Sequence, residues 1–244
     1  MNLFGLTDTG AVRRENQDSY AIRELNDQMA VAVVCDGMGG ARAGNVASAV
    51  AVETFTAAVE DFFRQRPPQN RDDRLKMMRV SSQKANRVVF ELSESTPEYQ
   101  GMGTTLVGAL ILPEEFCLVN IGDSRAYIIR ENTIKQITQD HSLVQVLVAR
   151  GELTQEQARV HPKKNLITRA LGVDNEVQGD VFWTPACSGD RLLLCSDGLS
   201  NVLSDQQLLD TCRSGDAEVC CRQLMAQTLE LGAPDNVTVI MAQL

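Results

Sequence analysis

GTTLVGALILPEEFCLVNIGDSRAYIIRENTIKQIT, residues 103–138, decides the fold class. Its apolar residues run continuously or at every second position, in stretches parted by short turns. Strands joined by turns this short pair antiparallel, because a parallel neighbour needs a crossover of a dozen or more residues. The segment reads as an antiparallel meander.

Outward from it, strand and helix signals come in groups. The first 35 residues read as strands: a short one before Asp8, one through DSYAIRE and a buried one at QMAVAVVC. Residues 42–65 turn helical, with Val52, Phe55, Val59 and Phe62 at three- and four-residue steps on one face. The Pro-Pro pair in RQRPPQNRDD breaks the pattern as a loop. A second helix carries Leu75, Met78, Ala85, Val89 and Leu92 on one side. Beyond the meander, residues 141–172 are shorter, polar helical pieces. Strands follow at VQGDVFWT and RLLLCS, then two helices between about 204 and 231, then a closing strand in NVTVIMAQL. Grouped rather than alternating elements predict an α+β fold of antiparallel sheets with packed helices, not a doubly wound one. No linker divides the chain, so residues 1–244 are expected to be one domain.

Composition removes several function classes. A formal charge of -9 opposes nucleic-acid binding, which relies on Lys and Arg. Seven cysteines form no C-x-x-C pair, and Cys35, Cys117 and Cys195 lie within apolar strands, so no disulfide framework is expected. The N-terminus has no signal-peptide pattern, and the Met29–Cys35 run is far too short to span a bilayer. A cytoplasmic protein without a membrane partner is the expectation. With only His141 and His161 available, a His-based zinc site is disfavoured.

Five aspartates stand where apolar or hairpin segments begin or end. Asp36 follows AVAVVC, Asp197 follows RLLLCS, Asp235 opens the last strand, Asp123 sits in the turn of NIGDSRAY, and Asp18 closes RRENQD five residues after Arg13. Taken singly each has a plain reading: Asp-Gly is a common hairpin turn, Asp123 a turn residue, Asp235 a strand-entry cap and Asp18 a solvated charge. Together they can converge on one cleft, where like charges need protons or divalent cations. Oxygen-only ligands favour magnesium or manganese over zinc. The set reads as a metal-dependent hydrolase site.

Motifs of other enzymes fail where their chemistry resides. Gly39 to Gly44 have P-loop spacing, but Asn45 and Val46 replace its Lys and Ser/Thr. GMGTTL lacks the third glycine of a dinucleotide loop and precedes a strand. No G-x-S-x-G elbow occurs. His141-Ser142 reads as a helix start, with Asp140 a possible cap.

The segments DTGAVRRENQDS (8–19), VVCDGMGG (33–40), GMGTTLV (101–107), NIGDSRAY (120–127), residues 139–172, LLLCSDGLSNVL (193–203) and PDNVTVI (234–240) occur in a specific order. In that order the chain resembles the metal-dependent protein serine/threonine phosphatases of type 2C, in their compact bacterial form. The resemblance implies an αββα sandwich of two antiparallel sheets flanked by helices, with a small helical flap at 141–172. It implies Mn2+ or Mg2+, two per site with a third possible. Asp36 would bridge two ions, the Gly37 carbonyl would join one, and Asp197 and Asp235 would hold the other. Asp18 would act through metal-bound waters, Asp123 with Asp197 would hold the third ion, and Arg13 would grip the substrate phosphate. Asp36, Asp197 and Arg13 thus carry the expected chemistry, hydrolysis of phosphoserine and phosphothreonine by metal-activated water. Phosphorylated proteins, substrates of a cognate serine/threonine kinase, are the implied partners, and a monomer is expected.

Two positions depart from the family pattern: Gln17 where some relatives carry Glu, and Ala41 where many have His, which leaves the leaving-group acid unassigned. The rival readings are a catalytically weak sensor or scaffold of the same fold, and a small-molecule phosphohydrolase with a different rim.

Overall fold

The computed structural model describes residues 1–39 and 43–244. Ala41, and with it the question of the leaving-group acid, lies outside the described residues. In chain order the elements are β1 (Asn2–Asp8), β2 (Asp18–Asn26), β3 (Met29–Met38), α1 (Gly44–Gln65), α2 (Arg71–Ser95), β4 (Gly103–Thr104), β5 (Leu106–Ile111), β6 (Glu115–Ile121), β7 (Arg125–Arg130) and β8 (Thr133–Gln136). There follow α3 (Leu143–Ala149), α4 (Gln155–Arg159), β9 (Asp180–Pro185), β10 (Arg191–Cys195), α5 (Asp197–Ser200), α6 (Asp205–Cys212), α7 (Ala217–Glu230) and β11 (Val237–Gln243).

Among the described residues the strands make two sheets. One runs β1-β11-β10-β7-β8, the other β2-β3-β5-β6-β9 with β4 added to the end of β3. Every pairing is antiparallel, as the meander predicts.

Strand periodicity explains the layering. Side chains alternate between the faces of a strand, and the central strands here are apolar on both. Val31, Val33 and Cys35 of β3 face α1 and α2, whereas Ala32 and Val34 face the other sheet. Leu193 and Cys195 of β10 meet α6 and α7, whereas Leu192 and Leu194 enter the inter-sheet layer. Three apolar layers therefore alternate with two sheets and two helical covers, the αββα sandwich.

The covers form where the sequence places apolar stripes. Val52, Phe55 and Val59 of α1 and Met78, Ala85 and Val89 of α2 are buried on the outer face of the second sheet, with Phe62, Leu75 and Leu92 at its margin. Fully burying such a side chain contributes about 1.5–3 kcal/mol, which outweighs the small differences in helix propensity. Asn70 caps α2 by accepting from the Asp73 N–H at 2.9 Å. Among the described residues no helix is long and apolar enough to cross a membrane.

One expectation is revised and two of the plain readings are excluded. The strand read as GTTLVGALIL breaks at Thr105 into β4 and β5, because its N–H turns to the Asp36 carbonyl at 2.9 Å. The two Asp-Gly pairs are not hairpin turns: Asp36-Gly37 lies inside β3, and Asp197-Gly198 opens α5. Asp18 is the buried first residue of β2, not a loop charge.

Candidate active site

Antiparallel pairing gathers the aspartates at one end of the sandwich. Neighbouring strands run in opposite senses, so the ends of β3 and β10 share an edge with the starts of β2 and β11. Asp18 lies directly opposite Asp36 in the β2–β3 register. Asp197 follows β10, Asp235 precedes β11, and Asp123 lies between β6 and β7. A cavity of about 270 Å³ at this edge is lined by Arg13, Gln17, Asp36, Gly37, Asp123, Asp197 and Asp235, with Asn165 and Ile167 from the 141–172 segment. A larger hollow of about 500 Å³ adjoins it, sharing Asp123 and Asp197 and reaching Arg159 and Lys164. The smaller cavity gathers four of the five aspartates, Asp36, Asp123, Asp197 and Asp235.

The backbone around Asp36 is fixed from both sides. Its N–H donates to Thr105 Oγ1 at 2.9 Å, and its carbonyl accepts from Thr104 Oγ1 and the Thr105 N–H, each at 2.9 Å. Thr105 Oγ1 in turn contacts Ser124 Oγ at 2.7 Å. Gly37 donates its N–H to the Gln17 carbonyl at 3.0 Å. A Cβ at Gly37 would stand 2.0 Å from the Gly44 carbonyl oxygen, so only glycine lets the start of α1 approach this strand.

Asp18 Oδ2 accepts from Ser196 Oγ at 2.8 Å and from Thr238 Oγ1 at 2.7 Å. Ser196 Oγ also accepts the Thr238 N–H, which leaves its hydrogen for Asp18. The other oxygen, Oδ1, is buried with no hydrogen-bond partner among the described residues. Leaving such a group unsatisfied costs about 1–3 kcal/mol.

Arg13 comes from the β1–β2 loop. Its Nη2 donates to Asp235 Oδ2 at 2.7 Å, while the rest of the side chain is exposed. Asn236 anchors this loop: its Nδ2 donates to the carbonyls of Thr9 and Glu15, and its Oδ1 accepts from the Gln17 N–H, all at 2.9 Å. Gly10, with φ +76°, passes so close that a Cβ would lie 2.2 Å from the Asp235 carbonyl.

The electrostatics follow from crowding. Burial, against the hydroxyl bonds from Thr238 and Ser196, pushes Asp18 up to about 6, helped by the charges of Asp197 and Asp235. Burial and the neighbouring aspartates push Asp36 well above the carboxylate range. Burial and Asp197 do the same to Asp123. Asp197 is raised by burial and by Asp235, against a hydrogen bond shared with Asp36. The protein alone does not neutralise this group.

The residues fit a divalent cation. The cleft lining is oxygen-rich and, among the described residues, contains no His or Cys. One buried carboxylate oxygen has no hydrogen-bond partner among the described residues, and Gly37 lines the cavity beside Asp36. No three acidic, His or Cys side chains among the described residues are drawn tightly enough to enclose an ion by themselves. The hydrogen bonds give the reason: Asp235 is turned to Arg13, and Asp18 Oδ2 to two hydroxyls. A backbone carbonyl or water would have to complete the coordination.

His141 sits apart from this chemistry. It is buried, accepts the Gly122 N–H on Nδ1 at 3.1 Å, and meets Asp180 Oδ2 through Nε2 at 3.1 Å. Ser142 caps α3, and Asp140 pairs with Arg125 at 2.7 Å instead of capping. Sequence reasoning missed the supporting hydroxyls Thr105, Ser124, Ser196 and Thr238, and the anchor Asn236. Of these, Ser124, Ser196 and Asn236 adjoin Asp123, Asp197 and Asp235 in the sequence, whereas Thr105 and Thr238 carried no such signal.

Residues 11–230 match the family model described as protein phosphatase 2C. The chain is 37% identical over 242 residues to a serine/threonine phosphatase stp of Listeria welshimeri serovar 6b, covering 97% of this chain and 93% of that one. It is similar to the crystal structure of the serine/threonine phosphatase Stp1 from Staphylococcus aureus, with TM-score 0.91 and 35% identity over 100% of this chain and 95% of that one. It is also similar to the catalytic domain of the serine/threonine protein phosphatase PstP in complex with two manganese ions. There the TM-score is 0.85 at 35% identity, covering 99% of this chain and 96% of that one.

Proposed function

Because this chain belongs to the protein phosphatase 2C family, we infer that it is a metal-dependent protein serine/threonine phosphatase, one catalytic domain over residues 1–244. One observation carries the reading: Asp36, Asp123 and Asp197 line one cleft, with Asp18 paired opposite Asp36, and burial together with neighbouring carboxylates raises the pKa of all four. Such a group calls for cationic charge. Its oxygen donors suit manganese or magnesium, and the similar PstP domain was solved with two manganese ions.

In this reading Asp36, the Gly37 carbonyl, Asp197 and Asp235 would hold two ions. Asp18 would act through water, and Asp123 with Asp197 would hold a third. Bound divalent ions supply Lewis acidity and lower the pKa of coordinated water.

The chain's own residues do the positioning. Thr104 and Thr105 hold the Asp36 backbone, and Ser196 and Thr238 fix which way Asp18 points. An ion held by Asp235 would compete with Arg13 for the same carboxylate, and the guanidinium lies at the cavity mouth. Its planar fork matches two phosphoryl oxygens. Neither a Cys nor a Ser nucleophile is needed, and among the described residues none lines the cavity.

The substrates are phosphoserine and phosphothreonine in proteins phosphorylated by a cognate kinase, and the enzyme acts as a cytoplasmic monomer. Segment 141–172 forms a flap: Asn165 and Ile167 line the cavity, and Arg159 and Lys164 line the hollow beside it. Flap residues therefore contact the polypeptide around the phosphorylated side chain.

The test is release of phosphate from a phosphothreonine peptide by protein stripped with a chelator, before and after manganese is restored. Activity that depends on manganese supports the reading. Full activity in the stripped protein would overturn it.

A further inference from the structure

The thiols of Cys212 and Cys220 lie away from the cleft, where α6 ends and α7 begins. Both are fully buried, under an exposed turn at 213–216. Cys220 Sγ receives Arg191 Nη1 at 3.0 Å, and Arg191 Nη2 donates to the Gly215 carbonyl at 2.7 Å. Arg191 is itself buried, and among the described residues no carboxylate lies within ion-pair distance of it.

A buried guanidinium needs a counter-anion. Of its contacts only the Cys220 sulfur can become one. Cys220 also sits in the first turn of α7, where the helix dipole favours negative charge. The neighbouring Cys212, whose carbonyl lies 3.9 Å from Cys220 Sγ, and the charge of Arg191, against burial, pull the Cys220 thiol down to about 7, while Cys220 and burial push Cys212 up. Cys221, raised to about 12 by burial, and held toward the Phe4 carbonyl at 3.5 Å, is a bystander.

We propose that Cys220 and Cys212 are a peroxide-responsive thiol pair that closes to a disulfide between α6 and α7. The Cys220 thiolate attacks one oxygen of hydrogen peroxide, the O–O bond breaks, and hydroxide leaves with a sulfenic acid formed on Cys220. The Cys212 sulfur then attacks that sulfur and displaces hydroxide. The Cys212 proton and one from solvent convert the two hydroxides to water. Two electrons pass from the thiols to the peroxide, and one S–S bond is made. The pair stands independently of the phosphatase reading.

Exposed Cys187 would oxidise on its own account and is first replaced. The Cys187→Ser protein is treated with hydrogen peroxide near neutral pH, with and without dimedone, and its cysteines are mapped by mass spectrometry. A Cys212–Cys220 link that dithiothreitol reverses is expected. Cys212→Ser should stop at a dimedone adduct on Cys220, and Cys220→Ser should leave Cys212 reduced at the same dose. Arg191→Met should slow the reaction about tenfold by removing the charge that favours the thiolate. Should that variant fail to fold, the map of the Cys187→Ser protein decides alone. Oxidation spread over the other cysteines with no 212–220 link, or a link formed at the same rate in Arg191→Met, would overturn the proposal.

Discussion

Asp18 and Asp36 face each other directly across the β2–β3 pair, two carboxylates in a register position where like charges destabilise a sheet. Nothing in the hairpin demands this. Arg23 and Glu24 lower on β2 show that it accommodates ordinary surface residues toward its far end. The repulsion is concentrated at the edge where Asp123, Asp197 and Asp235 also arrive, so the molecule carries a standing instability that bound cations relieve.

That instability has a sign that can be measured against pH. Asp18 titrates near 6 in the folded chain against an ordinary 3.8, and Asp36 and Asp123 are raised further. Between those values the folded state binds more protons than the unfolded one, so stability falls as pH rises. Chelated protein should lose stability from about pH 4 through pH 6 and beyond, by a few kcal/mol. Urea unfolding at several pH values checks it; stability that rises across pH 5 to 7.5 would contradict the cluster's charge state.

Manganese should reverse the loss. An ion that binds only the folded chain stabilises it by about 2.7 kcal/mol at a hundredfold excess over Kd, or roughly 5–10 °C for a chain of this size. Sodium chloride at matched ionic strength separates this from screening. Asp36→Asn should melt higher than the parent without metal, one repulsive charge being gone, and should lose most of the manganese shift.

Arg13 pairs with Asp235 across 2.7 Å yet remains exposed. Replacing it should barely alter folding. Arg13→Ala should lower kcat/KM for a phosphopeptide by roughly 10- to 150-fold, the loss of one charged hydrogen-bonding contact of about 1.5–3 kcal/mol. Arg13→Lys should recover only part, because an ammonium lacks the two-pronged geometry. Steady-state kinetics decide; an Arg13→Ala enzyme with unchanged kcat/KM would remove the guanidinium from the reaction.

His141 should behave oppositely. Its ring satisfies the buried Gly122 N–H and meets Asp180. His141→Ala should cost about 1–3 kcal/mol of stability while turnover by the folded fraction stays within several-fold of the parent. A loss of turnover equal to that of Asp36→Ala would mean that the chemistry has been assigned to the wrong residues.

Much of this was legible in the sequence because local pattern and tertiary role coincide. The 103–138 meander, the stripes at Val52–Phe62 and Leu75–Leu92 and the two-sided apolar strands each declare their burial through spacing alone. The aspartates were legible as a set, since antiparallel pairing brings alternate strand ends together. The plain reading of each Asp-Gly as a turn, set aside once the aspartates are taken together, is excluded: Asp36-Gly37 lies inside β3 and Asp197-Gly198 opens α5. The hydroxyls that orient the site gave weaker signals: Thr105 sits between β4 and β5, Ser196 between β10 and α5, and Thr238 within β11. Ser196 and Thr238 meet Asp18 only once the two sheets are packed face to face. The Arg191–Cys220 contact was hidden in the same way, its partners 29 residues apart.

Anomalous diffraction from crystals grown with manganese locates ions directly. The carboxylate cluster predicts two peaks at the end of the sandwich where β3, β10 and β11 meet, with Asp36, the Gly37 carbonyl, Asp197 and Asp235 at ligand distance, and a third peak, where present, beside Asp123 and Asp197. In Asp36→Asn crystals grown identically, at least one peak should be lost. Peaks elsewhere, or none in a preparation that still hydrolyses phosphothreonine, would contradict the assignment of metal-dependent catalysis to this cleft.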